Sequence, residues 1–174
     1  MRKSKISPKI VKESPKKPTQ ILLDECFILC ASGKGCDSTQ CTDQLENREE
    51  NALFAIVMAR QSQVSLVLDE AEQVVVFYRK KYNLMSHTVM KILKRWLEGH
   101  NRQVVYYKPA KLNPKAIKEC NLKSDKLDPL LCQLAIACGG DAPIWTLDSD
   151  FWCAQKFHAE IKPVCPQAAL ASVR

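Results

Sequence analysis

The chain has 174 residues, enough for one domain with its own core, and its hydrophobic content of 46% fits a globular protein. Five glycines leave little material for a glycine-rich phosphate loop. No apolar run reaches the roughly 18–20 residues needed to span a bilayer, so no membrane partner is expected. The basic N-terminus is not followed by an apolar signal core, and a cytoplasmic location is the expectation.

The net charge of +7 is unevenly spread. Residues 1–18 carry +6, hold Pro8, Pro15 and Pro18, and lack apolar periodicity. They read as a flexible basic arm, with one domain from residue 19 to residue 174. Within that domain, residues 79–126 carry +10, between residues 19–78 at −7 and residues 127–174 at −2. A positive surface beside carboxylates suits a polyanion approaching a metal site; the competing reading is a set of ordinary solvated lysines. Nine cysteines are an odd number, and nothing indicates secretion. They read as buried thiols acting as small hydrophobes rather than as a disulfide framework. Cys26, Cys30, Cys36 and Cys41 lack the paired C-x2-C knuckles of a structural zinc site.

In chain order, Ile21–Leu23 open a first strand, Asp24 follows it, and Cys26–Ala31 start a helix. A polar loop over 32–42 leads to a helix that Asp43 can cap, running to about Gln61. Val64–Leu68 (VSLVL) is a second buried strand, followed by Asp69 and a helix from Glu70 to about Lys81 with Val74, Phe77 and Tyr78 inward. Ser86 can cap a helix whose stripe is Val89, Ile92, Leu93, Trp96 and Leu97, ending at Gly99. Gln103–Tyr107 (QVVYY) is a third strand, and Asn113–Cys120 a short lysine-rich helix. Asp128 and Pro129 open an apolar helix with Leu131, Leu134, Ala135 and Cys138 on one face, stopped by Gly139 and Gly140. Pro143–Leu147 (PIWTL) is a buried strand, with Asp148 and Asp150 just past it. A helix from about Phe151, a strand near Ile161–Val164 and a turn over Pro166–Leu170 close the chain. This alternation predicts an α/β fold, with a largely parallel central sheet and helices on both faces. Trp96, Trp145 and Trp152 read as core residues rather than base-stacking platforms.

In a parallel sheet, all strand carboxyl ends point one way. Asp24, then Asp69 and Glu72, then Asp148 and Asp150 follow three such ends, and Asp128 begins the helix leading into the last of those strands. Ligands bind outside the carboxyl ends of open α/β sheets. Carboxylates gathered there must take up protons or a cation, and hard oxygen donors favour Mg2+ or Mn2+. Each acid also has a plain structural role. Asp128 can cap a helix, Asp148 or Asp150 can cap the next, Asp24 can merely close a strand, and Asp69, Glu70 and Glu72 suit a helix's first turn.

These residues resemble the PIN-domain family, which includes VapC-type toxins and related prokaryotic ribonucleases. The resemblance runs from about Ile21 to Leu170. ILLDECFILCASG is similar to the family's first strand and its terminal Asp. DPLLCQLAIACGGDAPIWTLDSDF is similar to its pattern of Asp, apolar helix, strand and Thr-x-Asp-x-Asp-Phe. IKPVCPQAAL is similar to its closing strand and Pro-led turn. The resemblance implies a three-layer α/β/α fold, Rossmann-like in arrangement, and Mg2+- or Mn2+-dependent cleavage of RNA. It implies metal-binding roles for Asp24, Asp128 and Asp148, with Asp150 auxiliary. Glu72 fits the family's second acid, with Asp69 or Glu70 as substitutes. In a PIN subgroup that acid lies next to a Tyr, a position where this chain has Phe77 before Tyr78. Asp125 is the alternative to Asp128.

The expected function is therefore a metal-dependent endoribonuclease with Asp24, Glu72, Asp128 and Asp148 as catalytic acids. Lysines and arginines from Arg79 to Lys126 would hold the RNA. The resemblance extends to a toxin role, with an antitoxin or other protein partner and a homodimer. The alternative is a non-catalytic PIN-like module that binds RNA or protein through an incomplete metal site.

Overall fold

The five buried residues Leu22, Leu23, Leu66, Val67 and Leu68 lie on two neighbouring strands with no accessible surface, so both strands are covered on both faces. They belong to a computed structural model that describes residues 17–34, 41, 45–98, 103–123 and 126–174. The expected basic arm up to residue 16, Cys36, the cap Asp43, Gly99 and the alternative acid Asp125 lie outside the described residues. Among the described residues, strands β1 (Gln20–Leu23), β2 (Ser65–Asp69), β3 (Val104–Tyr107), β4 (Ile144–Trp145) and β5 (Pro163–Val164) form one sheet in the order β3-β2-β1-β4-β5. Every pairing is parallel, with Gln20 opposite Ser65 and Leu22 and Leu23 opposite Ile144 and Trp145.

The helices are α1 (Glu25–Ala31), α2 (Leu45–Gln61), α3 (Gln73–Lys80), α4 (His87–Leu97), α5 (Pro114–Glu119), α6 (Asp128–Ala137), α7 (Ser149–Gln155) and α8 (Pro166–Val173). Parallel strands require crossovers, and right-handed crossovers assign the faces. From β1 the chain steps outward through β2 to β3, which puts α1 to α4 on one side. It then jumps back across the sheet to β4 and β5, which puts α5 to α7 on the other. The packing agrees: α2 lies against α1, α4 and α8, while α7 lies against α5 and α6. The result is three layers, α/β/α, as the alternation of segments predicts. The direction of winding reverses between β1 and β4, so a crevice opens at their carboxyl ends.

Several elements differ from the sequence reading. Helix α3 begins at Gln73 rather than Glu70, because Asp69 accepts the N–H groups of Gln73 (3.0 Å) and Val74 (2.8 Å) on its two carboxylate oxygens. Glu70 and Ala71 form the turn before it, and Glu72 takes a left-handed φ of 56°. Strand β4 has two residues rather than five. Pro143 accepts from Leu22 N–H and Thr146 donates to Val164, so the hydrogen bonding reaches further, but the Thr146 side chain then turns the chain toward α7. The expected terminal turn is a helix of eight residues, α8, opened by Pro166 and burying Ala169, Leu170 and Val173.

The cysteines depart from the expected set of free thiols. Cys41 is disulfide-bonded to Cys165, and Cys120 to Cys153. Partners lie 124 and 33 residues apart, so no local spacing announces them. Folding brings them together: α8, which Cys165 precedes, packs on α2, and the end of α5 packs on α7. Cys30, Cys132 and Cys138 are buried thiols, as expected. Trp96 and Trp145 are fully packed in the core, the latter with its ring centroid 5.4 Å from that of Phe27.

Asp69 is therefore a structural acid. Replacing it with Ala leaves two N–H groups at the start of α3 without their carboxylate and is expected to cost about 1–2 kcal/mol. Urea unfolding monitored by circular dichroism reads this loss directly.

Candidate metal centre

Asp24 leaves β1 at the point where the winding reverses. Its backbone N–H donates to Trp145 O at 3.0 Å, which fixes it beside β4. It stands ahead of α1, yet its side chain caps nothing. The carboxylate is 1% exposed. One oxygen, Oδ2, accepts the Thr146 hydroxyl at 2.7 Å, whereas Oδ1 has no hydrogen-bond partner. One residue back, the buried Tyr78 hydroxyl donates to Leu23 O at 2.5 Å and ties α3 to the end of β1.

Thr146 joins two acids. While its hydroxyl donates to Asp24, its oxygen accepts the Asp148 N–H at 2.9 Å. Asp148 in turn caps α7, its Oδ1 accepting the Asp150 N–H at 2.9 Å. This threonine belongs to the Thr-x-Asp pattern of the sequence, but its role as the brace between β1 and β4 becomes visible only in the fold.

Asp128 arrives from the opposite helical layer. It is not the N-cap expected from its place before Pro129. Leu127 holds that position, and Asp128 is the first residue of α6, buried and committed to no cap. Oxygens of Asp128, Asp148 and Asp150 lie within 4.8 Å of one another. Asp24, Asp128 and Asp148 line one cleft of about 380 Å3. Thus Asp128, Asp148 and Asp150 form one cluster, and Asp24 shares the cleft with Asp128 and Asp148 without belonging to that cluster. The helices α1, α6 and α7 all present their N-termini at this edge, which offsets part of the mutual repulsion.

The fifth expected acid does not join them. Glu72 is exposed on the left-handed residue before α3, and Asp69 is occupied by the cap of that helix. Phe77 on α3 lines the cleft, and Lys80 lies over its ring at 5.4 Å from the centroid. Glu25, which the sequence pattern did not single out, lines the same cleft and pairs with Lys81 at 3.1 Å. Lys126 lies on the same rim.

The electrostatics follow from this crowding. Burial, then the nearby Asp128 and Asp148, push Asp24 up to about 8, against the lowering effects of the Thr146 hydrogen bond and the Glu25 backbone N–H. Burial and then Asp148 raise Asp128 to about 6, with Lys126 pulling the other way. Asp150 is raised by partial burial and Asp148. Cys132, behind the acids on α6, is pushed above its ordinary value by burial and Asp128, so it is a thiol and no metal-binding thiolate. A buried carboxylate oxygen with no donor, among acids that resist ionising together, is the arrangement a hard cation satisfies. Asp128, Asp148 and Asp150 could hold such an ion through oxygen alone, with Asp24 beside them in the cleft, and Mg2+ or Mn2+ fits that donor set.

No family model, curated protein or solved structure matches the chain.

The raised acids give the metal-free protein a definite pH response. Asp24 binds its proton more tightly folded than unfolded, so the stabilising contribution is full below about pH 4 and is lost as pH rises toward about 8. Asp128 adds a smaller loss, complete by about pH 6. In chelator, stability should fall between pH 5 and pH 8 by an amount on the order of a few kcal/mol, read as a falling melting temperature. Asp24→Asn should flatten that fall and melt higher than wild type at pH 8. Mn2+ should restore the wild type more at pH 8 than at pH 6, because it competes with protons.

Proposed function

We propose that the protein is a divalent-metal-dependent ribonuclease of the PIN type, hydrolysing RNA phosphodiester bonds. The observation that carries this reading is the buried, unpartnered Asp24 Oδ1 in a cleft shared with Asp128 and Asp148. Asp150 completes the donor set from the first turn of α7. Bound Mg2+ or Mn2+ would supply an activated water and offset charge at phosphorus.

The chain's own residues then have distinct tasks. Thr146 links the Asp24 carboxylate to the Asp148 backbone, which would keep both residues beside a bound ion. Asp128 reaches the same point from the other layer. Lys80 and Lys126 line the cleft together with the acids and Lys81, where they can hold the phosphates flanking the scissile one. They belong to the segment from residue 79 to residue 126 that carries +10, and a polyanionic substrate suits that charge. RNA rather than DNA is the substrate class that the PIN resemblance adds.

The same resemblance extends the reading to a toxin restrained by an antitoxin or other protein partner, and to a homodimer. Phage defence and RNA processing would use the same residues. No helix among the described residues is long and apolar enough to cross a membrane. A cytoplasmic site of action belongs to this proposal, although the two disulfides suit a less reducing setting.

A second reading is a non-catalytic module that binds RNA or protein. Phe77 in the cleft and the outlying Glu72 favour it, since both remove the acid expected on α3.

One experiment separates the two. Purified protein is incubated with labelled RNA in Mg2+, in Mn2+ and in chelator. The ribonuclease reading predicts metal-dependent cleavage that falls at least a hundredfold in both Asp24→Asn and Asp148→Asn. Retention of RNA without cleavage, equal with and without metal, would establish the module. Undiminished cleavage by the two variants would contradict the assigned acids.

A further inference from the structure

We infer that Glu25 is an additional metal-binding carboxylate of this cleft, taking the role an acid at Phe77 would have had, with Lys81 holding it when no ion is bound. The inference rests on the reading of the cleft as a divalent-cation site.

Its placement is forced by the chain. Glu25 follows Asp24 directly and is the first residue of α1, so it lies at the carboxyl edge of the sheet, beside the point where the winding reverses. It lines the same cleft as Asp24, Asp128 and Asp148, and its charge contributes to the raised pKa of Asp128. No acid on the neighbouring helix competes for the role. Asp69 is tied to the N–H groups of Gln73 and Val74, Glu72 is exposed, and Phe77 offers a ring.

A second observation points to a ligand. Asp24 Oδ1 is buried in that cleft and accepts no hydrogen bond. Mg2+ and Mn2+ surround themselves with about six oxygens, so the three clustered aspartates giving one oxygen each leave positions for Asp24, water or a further carboxylate. Glu25 has the longer reach of a glutamate, and its present partner is easily exchanged. The Glu25–Lys81 pair spans 3.1 Å with both side chains about one-third exposed (32% and 34%), a setting in which an ion pair contributes little. An ion arriving in the cleft therefore meets a carboxylate that is available at small cost. Lys81 supplies the counter-charge until then.

The test is Mn2+ binding measured by titration calorimetry on the full chain, with melting in chelator as the check on folding. Glu25→Gln is expected to weaken Mn2+ at least tenfold. Glu25→Asp keeps the charge but shortens the reach by one methylene, and is expected to weaken it at least threefold. Lys81→Met should bind at least as tightly as wild type, and Glu72→Gln should match it. Wild-type affinity in Glu25→Gln would overturn the inference while leaving the aspartate site intact. Wild-type affinity in Glu25→Asp would reduce Glu25 to a distant charge and overturn it too. Weaker binding by Lys81→Met would make the pair a structural brace and would likewise overturn it. A wild type that binds no Mn2+ would overturn both this inference and the metal reading beneath it.

Discussion

The Thr146 hydroxyl is the interaction on which the candidate site depends. It donates to Asp24 at the end of β1 and accepts from the backbone of Asp148 after β4, so one side chain spans the crevice where the sheet changes direction. Two carboxylates that would repel each other are thereby held side by side. The hydrogen bond satisfies one oxygen of Asp24 and leaves the other buried and unmet. Sheet topology, the helix N-termini at the same edge and the arrival of Asp128 from α6 meet at the cleft that Asp24 lines. A cation is the simplest partner for it, and the proposed chemistry follows from that need.

Much of the fold was legible in the sequence because buried parallel strands and amphipathic helices leave separate signals. VSLVL and QVVYY are short apolar runs, and the stripe from Val89 to Trp96 has helical period. The aspartates were legible for a related reason: Asp24 stands one residue past β1 and Asp148 three residues past β4, where topology rather than local chemistry gives them meaning. What stayed hidden was tertiary. Asp69 follows a strand just as Asp24 does, but the backbone after it turns so that its oxygens meet N–H groups of α3. Asp128 before Pro129 reads as a cap, yet Leu127 holds that position and leaves the carboxylate to the cleft. The pairing of Cys41 with Cys165, and of Cys120 with Cys153, depends on helix packing across the fold and has no local signature.

One wall of the cleft carries a ring, Phe77 on α3, and a lysine lies over that ring. The carboxylate that lines the cleft beside that wall is Glu25, on the helix that opens directly from Asp24. A site can keep its charge while moving one ligand from one helix to its neighbour, because the ion responds to oxygen and reach rather than to the element that supplies them. The basic rim formed by Lys80, Lys81 and Lys126 is compatible with either a reacting or a merely bound polyanion, so the metal decides between the two functions.

The most direct measurement is crystallographic. Crystals soaked in Mn2+ and recorded at the manganese edge should show one anomalous peak within about 2.0–2.3 Å of carboxylate oxygens from Asp24, Asp128 and Asp148. No peak there at saturating Mn2+, with the Asp24 carboxylate still buried and unpartnered, would contradict the assignment of a metal centre.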